Sequence, residues 1–275
     1  MTILIILTCY NRKEKTEQCI KSIVNRKNFL DFTFIIVDDL STDGTIDMLE
    51  TLKDDYNVHI IVSDGNLFYS GGMRKGMSYA LEKIQSNYDY ILMINDDVLF
   101  FDQAIDKLVK KSIENQDAVV VGATCDYERN LTYGAIKYRD EKTIKYNTIG
   151  IEDRFIECDT FNANCVLIPS LIFRNIGVID KHYIHSLGDL DYGLRISRSG
   201  YKIYTSNEYV GYCMKNLSEN TWNDRKLNII ERIKLKESIK GAPLKPWFYF
   251  LKKNFSIRVA LVKSITPFVK IIFNL

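Results

Sequence analysis

Over its first 125 residues the chain alternates short, almost wholly apolar runs with stretches whose apolar residues recur at helical spacing. Few folds accommodate that rhythm. Residues 3–8, 32–37, 57–62, 90–94 and 118–123 read as strands. Between them, residues 14–24, 45–52, 72–84 and 103–113 carry helical stripes; in the first, the apolar or small positions are 16, 19, 20, 23 and 24. Strand and helix in strict alternation predict parallel βαβ units. Strand cores apolar at nearly every position predict a sheet covered on both faces.

Beyond residue 124 the rhythm changes. Residues 125–160 are polar with weak alternation and read as a meander or long loops. Residues 161–168 read as a further strand, and Pro169 as the start of a short helix that Gly177 ends. Residues 190–198 read as a helix closed by Ser199-Gly200, 201–204 as a short strand and 223–239 as a charged helix. The expected class is α/β, with a mixed, mostly parallel, Rossmann-like sheet between helices and a C-terminal helical extension. The expected partition is 1–221 and 222–275.

The composition is that of a globular chain: 275 residues, 46% hydrophobic and 26% charged, enough to build a core and unlike a disordered segment. The start of the chain lacks a basic region and a small-residue cleavage site, so it does not read as a signal peptide. No run of 18 residues is apolar and uncharged, which argues against a membrane span. Six scattered cysteines without metal spacing read as buried thiols of a cytoplasmic protein.

In an open parallel sheet, ligands bind at the carboxyl ends of the strands. The loops there are Thr8-Cys9-Tyr10-Asn11-Arg12, Val37-Asp38-Asp39 with Ser41-Thr42-Asp43-Gly44-Thr45, Gly65-Asn66 through Gly71-Gly72, and Asn95-Asp96-Asp97. Taken singly, Asn11 reads as a helix N-cap, Asp43-Gly44 as a turn, and the two glycines as a weak anion-binding signal. The sharpest is Asn95-Asp96-Asp97, whose paired carboxylates are hard oxygen ligands suited to Mg²⁺ or Mn²⁺ beside phosphates.

Together, in this order and spacing, the loops resemble the family 2 glycosyltransferases of the GT-A fold, as in bacterial capsule, O-antigen and rhamnose-type polysaccharide enzymes. A later segment, Gly188-Asp189-Leu190-Asp191-Tyr192-Gly193-Leu194-Arg195, is similar to the family segment that carries the catalytic base. The resemblance covers about residues 1–212. It implies an inverting transfer of a hexosyl or deoxyhexosyl group from a UDP- or dTDP-sugar to a hydroxyl of a saccharide, often lipid-linked.

The resemblance also implies roles. Thr8 and Tyr10 would line the nucleobase pocket with Asn11 and Arg12 beside it, and Asp39 would accept the imide N–H of the base. Asn66, Gly71, Gly72 and Asp96 would approach the ribose and sugar, and Arg74 would add positive charge near the diphosphate or form a structural salt bridge. Asp97 would be the main ligand of Mg²⁺ or Mn²⁺. Asp189 would be the general base, with His185 and Asp191 on the acceptor side. Asp191 would also support its helix and pair with Arg195 at i+4. The chain departs from the family pattern where Gly188 replaces an acid, exposing the base, and where Tyr209–Cys213 offers no metal-binding histidine. His182 and His185 read as a loop pair without a third ligand.

The net charge of +2 conceals an asymmetry. Residues 1–221 hold 25 basic and 32 acidic side chains, and residues 222–275 hold 12 and 3. An acidic catalytic unit followed by a basic, aromatic tail points to peripheral contact with the inner face of a membrane; docking on the domain or homodimerisation is the alternative use of the tail. The balance argues against nucleic acid as a partner. Two rival readings are a nucleotidyltransferase, disfavoured because residues 8–12 contain no glycine, and a non-catalytic nucleotide-sugar-binding scaffold.

Overall fold

The computed structural model describes residues 1–24, 30–84, 87–151, 156–215 and 219–274. In chain order its first half comprises β1 (Thr2–Cys9), α1 (Lys13–Val24), β2 (Asp31–Asp38), α2 (Thr45–Leu52), β3 (Asn57–Val62), α3 (Phe68–Lys83), β4 (Tyr90–Ile94), β5 (Leu99–Phe100), α4 (Ala104–Glu114) and β6 (Val119–Cys125). Then come β7 (Leu131–Tyr133), β8 (Ala135–Asp140), β9 (Lys145–Ile149), β10 (Thr160–Phe161), β11 (Cys165–Pro169), α5 (Ser170–Ile176), α6 (Gly188–Arg198) and β12 (Ile203–Tyr212). The chain closes with α7 (Ile229–Glu237), α8 (Leu244–Asn254) and α9 (Ile257–Ile272).

The main sheet runs β3-β2-β1-β4-β11-β6-β12-β5, with β7 added beside β6. The first four strands in this order are parallel, as the βαβ rhythm predicts. Alternate residues of each strand serve opposite faces, because side chains alternate along a strand. Ile3, Ile5 and Leu7 of β1 pack with α1, α2 and α4; Leu4 and Ile6 pack with α3, α5 and α6. That two-sided burial is why the strands carry no polar face.

The fifth predicted strand, β6, runs parallel to β4 as the βαβ rhythm predicts, with β11 inserted between them, antiparallel to both. Continuous apolar patterning reports burial, not direction or neighbour, so the sequence could not reveal the insertion. Three expectations need correction. The single strand expected over 161–168 divides into β10, in a small sheet of order β10-β8-β9, and β11 in the main one. The short strand expected over 201–204 is instead the ten-residue β12, bulged between Thr205 and Gly211. Finally, the helix expected from Gly72 starts at Phe68, so Gly71 and Gly72 lie in its first turns rather than in a loop. Of the expected meander, residues 152–155 lie outside the described residues.

The antiparallel strand matters for function. Cys165, where β11 begins, pairs with Ile94, where β4 ends. Residues 162–164 therefore stand at the same sheet edge as Asn95-Asp96-Asp97, and the Asn95 N–H donates to the Asn164 carbonyl at 3.1 Å.

The C-terminal helices are docked. Tyr183, Leu194, Phe250, Leu251 and Ala260 form a third apolar cluster between α6 and the α8–α9 pair, with Trp247 and Phe255 packed against it. The charged helix expected over 223–239 is shorter, because Asn228 and Glu231 form a reciprocal capping box that starts α7 only at Ile229.

Candidate active site

The aligned ends of β1, β2, β3 and β4 bring the first three loops together, and hydrogen bonds lock them. Asn11 does not cap α1. Its backbone N–H donates to Ser41 Oγ at 2.9 Å and its Oδ1 accepts from the Thr42 N–H at 2.7 Å, latching the first loop to the second. Asp43 meets the first N–H of α1, on Lys13, at 3.0 Å.

Asp39 is buried at the floor of this edge. It accepts from the Ser63 hydroxyl, from the Leu67 N–H at 3.1 Å and from the Phe68 N–H at 2.8 Å. It thereby anchors the N-terminus of α3, where the helix dipole favours an anion. A carboxylate offers about four acceptor positions, so about one remains for a further donor. Tyr10 is 53% exposed beside it, and Asn66 is also exposed.

Thr8 and Gly72 meet where α3 crosses the end of β1. The Thr8 hydroxyl donates to the Val37 carbonyl at 3.0 Å, and a Cβ on Gly72 would lie 2.3 Å from Thr8 Oγ1. Gly72 thus sets the helix-to-sheet approach. Gly71 donates its N–H to the Ile184 carbonyl at 3.0 Å. Among the described residues, Arg74 forms no salt bridge. Its guanidinium donates to the carbonyls of Tyr183 (2.9 Å) and Asp180 (3.3 Å), so it ties α3 to the loop that precedes α6.

Arg12 sits on both acids that follow β4, 3.0 Å from Asp96 and 3.0 Å from Asp97. Burial, with a smaller contribution from Asp97, raises Asp96 to a pKa of about 6 even though Arg12 opposes it. Asp97 is less enclosed, and its second oxygen accepts from Cys213 Sγ at 3.5 Å. A thiol therefore stands beside the acid where the sequence offered no histidine. Burial, then Asp97, pushes that thiol up to about 12, so it stays protonated and donating.

Among the described residues, no group of three or more His, Cys, Asp or Glu side chains is placed to hold a metal ion. Asp97, a hard and partly open carboxylate, fits a divalent ion whose remaining ligands are phosphate oxygens and water, the coordination Mg²⁺ commonly keeps.

Asp189 stands at the first turn of α6. It accepts from the Leu190 N–H at 2.8 Å and the Ala163 N–H at 3.2 Å, and burial raises its pKa above the ordinary carboxylate range despite both bonds. The expectation of a more exposed base is therefore overturned. The reason for Gly188 is packing: a Cβ there would lie 2.5 Å from Ser70 Oγ on α3. Ser70 donates to the His185 carbonyl at 2.7 Å. The His185 ring meets Phe68 edge-on at 6.1 Å, its buried Nδ1 has no hydrogen-bond partner among the described residues, and burial lowers its pKa. His182 instead stacks on Tyr249 at 4.1 Å, so the two histidines do not converge.

Asp191 is not on an acceptor side. Its side chain is fully buried and meets Asn254 at 2.8 Å, Lys253 at 2.9 Å, Tyr183 at 3.2 Å and the predicted Arg195 at 3.3 Å. A helical side chain two positions from Asp189 points about 200° away from it, here into the interface with α8. Sequence reasoning missed Cys213, Lys253 and Asn254. No local motif marks them, because their side-chain hydrogen bonds run to residues about 50 or more positions away.

A mixed sheet with acids after its parallel strands, and a helix bringing a further carboxylate to the same edge, defines a sugar-transferase fold of the GT-A type. The structural neighbours agree. Staphylococcus aureus TarS residues 1–349 in complex with UDP-GlcNAc matches at TM-score 0.59 and 13% identity, covering 98% of this chain and 81% of that one. The mannosyltransferase PcManGT of Pyrobaculum calidifontis, in complex with GDP-Man and Mn²⁺, matches at 0.57 and 12%, covering 99% and 74%.

The glycosyl transferase family 2 model matches residues 4–177, and this chain belongs to that family. A putative teichuronic acid biosynthesis glycosyltransferase, TuaG of Bacillus subtilis, is 26% identical over 81% of this chain and 83% of its own length. A poly(ribitol-phosphate) beta-glucosyltransferase of Bacillus spizizenii is 32% identical over 44% of this chain. That match spans only 19% of the Bacillus spizizenii protein's length, and the match to full-length TarS spans 44% of it.

Proposed function

We propose that this chain is an inverting glycosyltransferase of bacterial surface-polysaccharide synthesis. In this reading it moves a hexosyl or deoxyhexosyl group from a UDP- or dTDP-sugar to a hydroxyl of a saccharide acceptor, which is lipid-linked. Residues 1–221 form the catalytic unit and residues 222–275 an extension to it. The observation that carries the reading is the Asp189 carboxylate, desolvated and fixed by two backbone N–H groups at the same sheet edge as Asp39, Asp96 and Asp97. The names of the relatives, a poly(ribitol-phosphate) beta-glucosyltransferase and a putative teichuronic acid biosynthesis glycosyltransferase, support the biological setting.

In the chemistry that follows, Asp189 accepts the acceptor hydroxyl's proton as that oxygen bonds to the anomeric carbon and the bond to the nucleoside diphosphate breaks. A raised pKa makes it a better base than an ordinary aspartate. Its two backbone donors fix the carboxylate before the substrate arrives. Tyr10 packs on the base, and Asp39 uses its remaining acceptor position for the imide N–H. Asp97, with Asp96 beside it, would hold Mg²⁺ or Mn²⁺, which would supply positive charge to neutralise the leaving diphosphate. Arg12 leaves the acid pair with one net negative charge, and it is the nearest side chain able to turn to a phosphate.

The extension supports peripheral contact with a membrane. Helix α9 packs inward through Ala260, Ser264 and Ile271 and turns bulkier residues outward: Val262 is 64% exposed, Ile265 60% and Phe273 68%. Ile230 of α7 is 67% exposed. An apolar outer face on a segment with 12 basic and 3 acidic residues suits an anionic lipid surface. Two copies would instead bring like charges together. No helix among the described residues is long and apolar enough to cross a membrane.

The test is a panel of nucleotide sugars with Mg²⁺ or Mn²⁺, read by thermal shift and by nucleoside diphosphate release. A UDP- or dTDP-sugar is expected to raise the melting temperature and to turn over. Asp189→Asn is expected to lower transfer by about 10²–10⁴-fold while donor binding persists. No response to any nucleoside diphosphate or its sugars refutes the reading, and unchanged transfer by Asp189→Asn refutes the role of the base.

A further inference from the structure

A cavity of about 730 Å³ opens between the start of α3 and the extension. Phe68 of α3 forms one wall; Asn220, at the end of the catalytic unit, and Trp222, Asn223, Ile239 and Lys240 of the extension line the other side. It adjoins the site described above through Phe68. The Phe68 N–H bonds Asp39 at 2.8 Å, and the neighbouring Tyr69 hydroxyl bonds the carbonyl of Ala163, whose N–H holds Asp189. His185, whose Nδ1 has no hydrogen-bond partner among the described residues, stands edge-on behind Phe68.

The lining has a definite chemistry. Trp222 and Phe68 present aromatic surface, which suits the C–H faces of a pyranose ring, and such polar-tipped aromatics commonly line ligand sites. The amides of Asn220 and Asn223 and the hydroxyl of Ser238 supply directional groups for sugar hydroxyls. Lys240 is the one charged side chain in the lining among the described residues. Its field also reaches His185, adding to the burial that keeps the imidazole neutral. A single ammonium in a lining whose other described residues are neutral favours an anion.

We propose that this cavity is the acceptor subsite and takes a glycosyl phosphate: the sugar ring between Phe68 and Trp222, the phosphate on Lys240. The extension then forms one wall of the acceptor site as well as a membrane contact. The proposal rests on the reading of Asp189 as the transfer base, because it is the path through Phe68 and Tyr69 that makes an occupant of the cavity an acceptor.

The test titrates three probes into the full chain and follows binding by isothermal titration calorimetry: α-glucose 1-phosphate, octyl glucosyl phosphate, and octyl glucoside as the uncharged control. Both phosphates are expected to bind at least tenfold tighter than octyl glucoside. Lys240→Gln is expected to remove that difference, and Lys240→Arg to keep it. Trp222→Ala is expected to weaken all three probes and Trp222→Phe to restore most of the affinity, since an aromatic face remains. A large advantage of octyl glucosyl phosphate over glucose 1-phosphate assigns the occupant to a lipid-linked donor of the phosphate; equal affinity assigns it to a soluble one. Phosphates that bind no better than octyl glucoside, no binding of any probe, or an inert Lys240→Gln overturn the proposal. In each of those cases a preserved thermal shift with UDP- or dTDP-sugars shows that the transferase reading survives, and its loss shows that the two fail together.

Discussion

Removing the ammonium of Lys253 tests how the extension is fastened to the helix that carries the base. Lys253 Nζ lies 2.9 Å from Asp191 and 2.7 Å from Asp180. The Asp191 side chain is fully buried, so that contact is charge-assisted in a desolvated place and contributes about 1.5–3 kcal/mol. The Asp180 contact lies nearer solvent and adds about 0.5 kcal/mol. Asp191 keeps Arg195 and Asn254, so Lys253→Met stays below the loss of about 3–5 kcal/mol that follows when a buried charge loses its only partner. The expected cost is about 2–3 kcal/mol, or about 5–10 °C in melting temperature for a chain of this size.

The pH dependence has a definite sign. Against the desolvation of burial, the His182 N–H, Lys253, the His182 ring and Tyr249 hold Asp180 well below the usual carboxylate range. A depressed carboxylate stabilises the fold above its unfolded pKa near 3.8, and that stability is lost as pH falls through the lower folded value. The gap between the wild-type chain and Lys253→Met is therefore expected to be full at pH 6–8 and to narrow below about pH 4. Thermal unfolding followed by circular dichroism across that range checks both claims. A shift under 2 °C at pH 7, or a gap that widens in acid, refutes the argument.

Three further outcomes are expected. Asp96→Asn removes a carboxylate that burial raises to about 6, so the stability lost as pH rises from its ordinary 3.8 to that value should return: the variant gains about 1–3 kcal/mol at pH 8 and little at about pH 3.5, with transfer reduced. Paired melts at the two pH values decide it, and a less stable variant at pH 8 counts against the burial argument. Gly72→Ala forces a Cβ to 2.3 Å from Thr8 Oγ1 and should cost about 1–3 kcal/mol, whereas Gly71→Ala meets Leu67 Cβ only at 3.3 Å and should cost less; urea unfolding that ranks them equally contradicts the packing reading. Val262→Asp with Ile265→Asp should abolish sedimentation with phosphatidylglycerol-containing vesicles and leave donor turnover intact, while unaltered sedimentation rules out the α9 face.

How much was legible follows from what each signal reports. Hydrophobic periodicity reports burial, so it located β1 to β4 and the helices between them to within a few residues. It left the direction and neighbours of β11 open, because an antiparallel core strand has the same apolar run as a parallel one. The α3 start was misplaced because Phe68, Tyr69 and Ser70 carry no start signal of their own; Asp39, 29 residues away, accepts the first N–H groups. Motif spacing singled out Asp39, Asp96 and Asp97 because each follows the end of a strand, and strand ends are local; Asp189, in the first turn of α6, was named through the family resemblance of its segment.

By itself, then, the sequence determined the covered α/β sheet, the loops that carry Tyr10, Asp39, Asp96, Asp97 and Asp189, and the charge asymmetry of the tail. These are set within one element and its flanking loop. Only the tertiary structure decided that Asp191 fastens the extension instead of facing an acceptor, that Gly188 is required by Ser70, that Cys213 lies beside Asp97, and that Lys240 and Trp222 share a cavity with Phe68. Each of those joins residues more than 60 positions apart. Such contacts depend on how helices and strands pack against one another, and no periodicity along the chain encodes them.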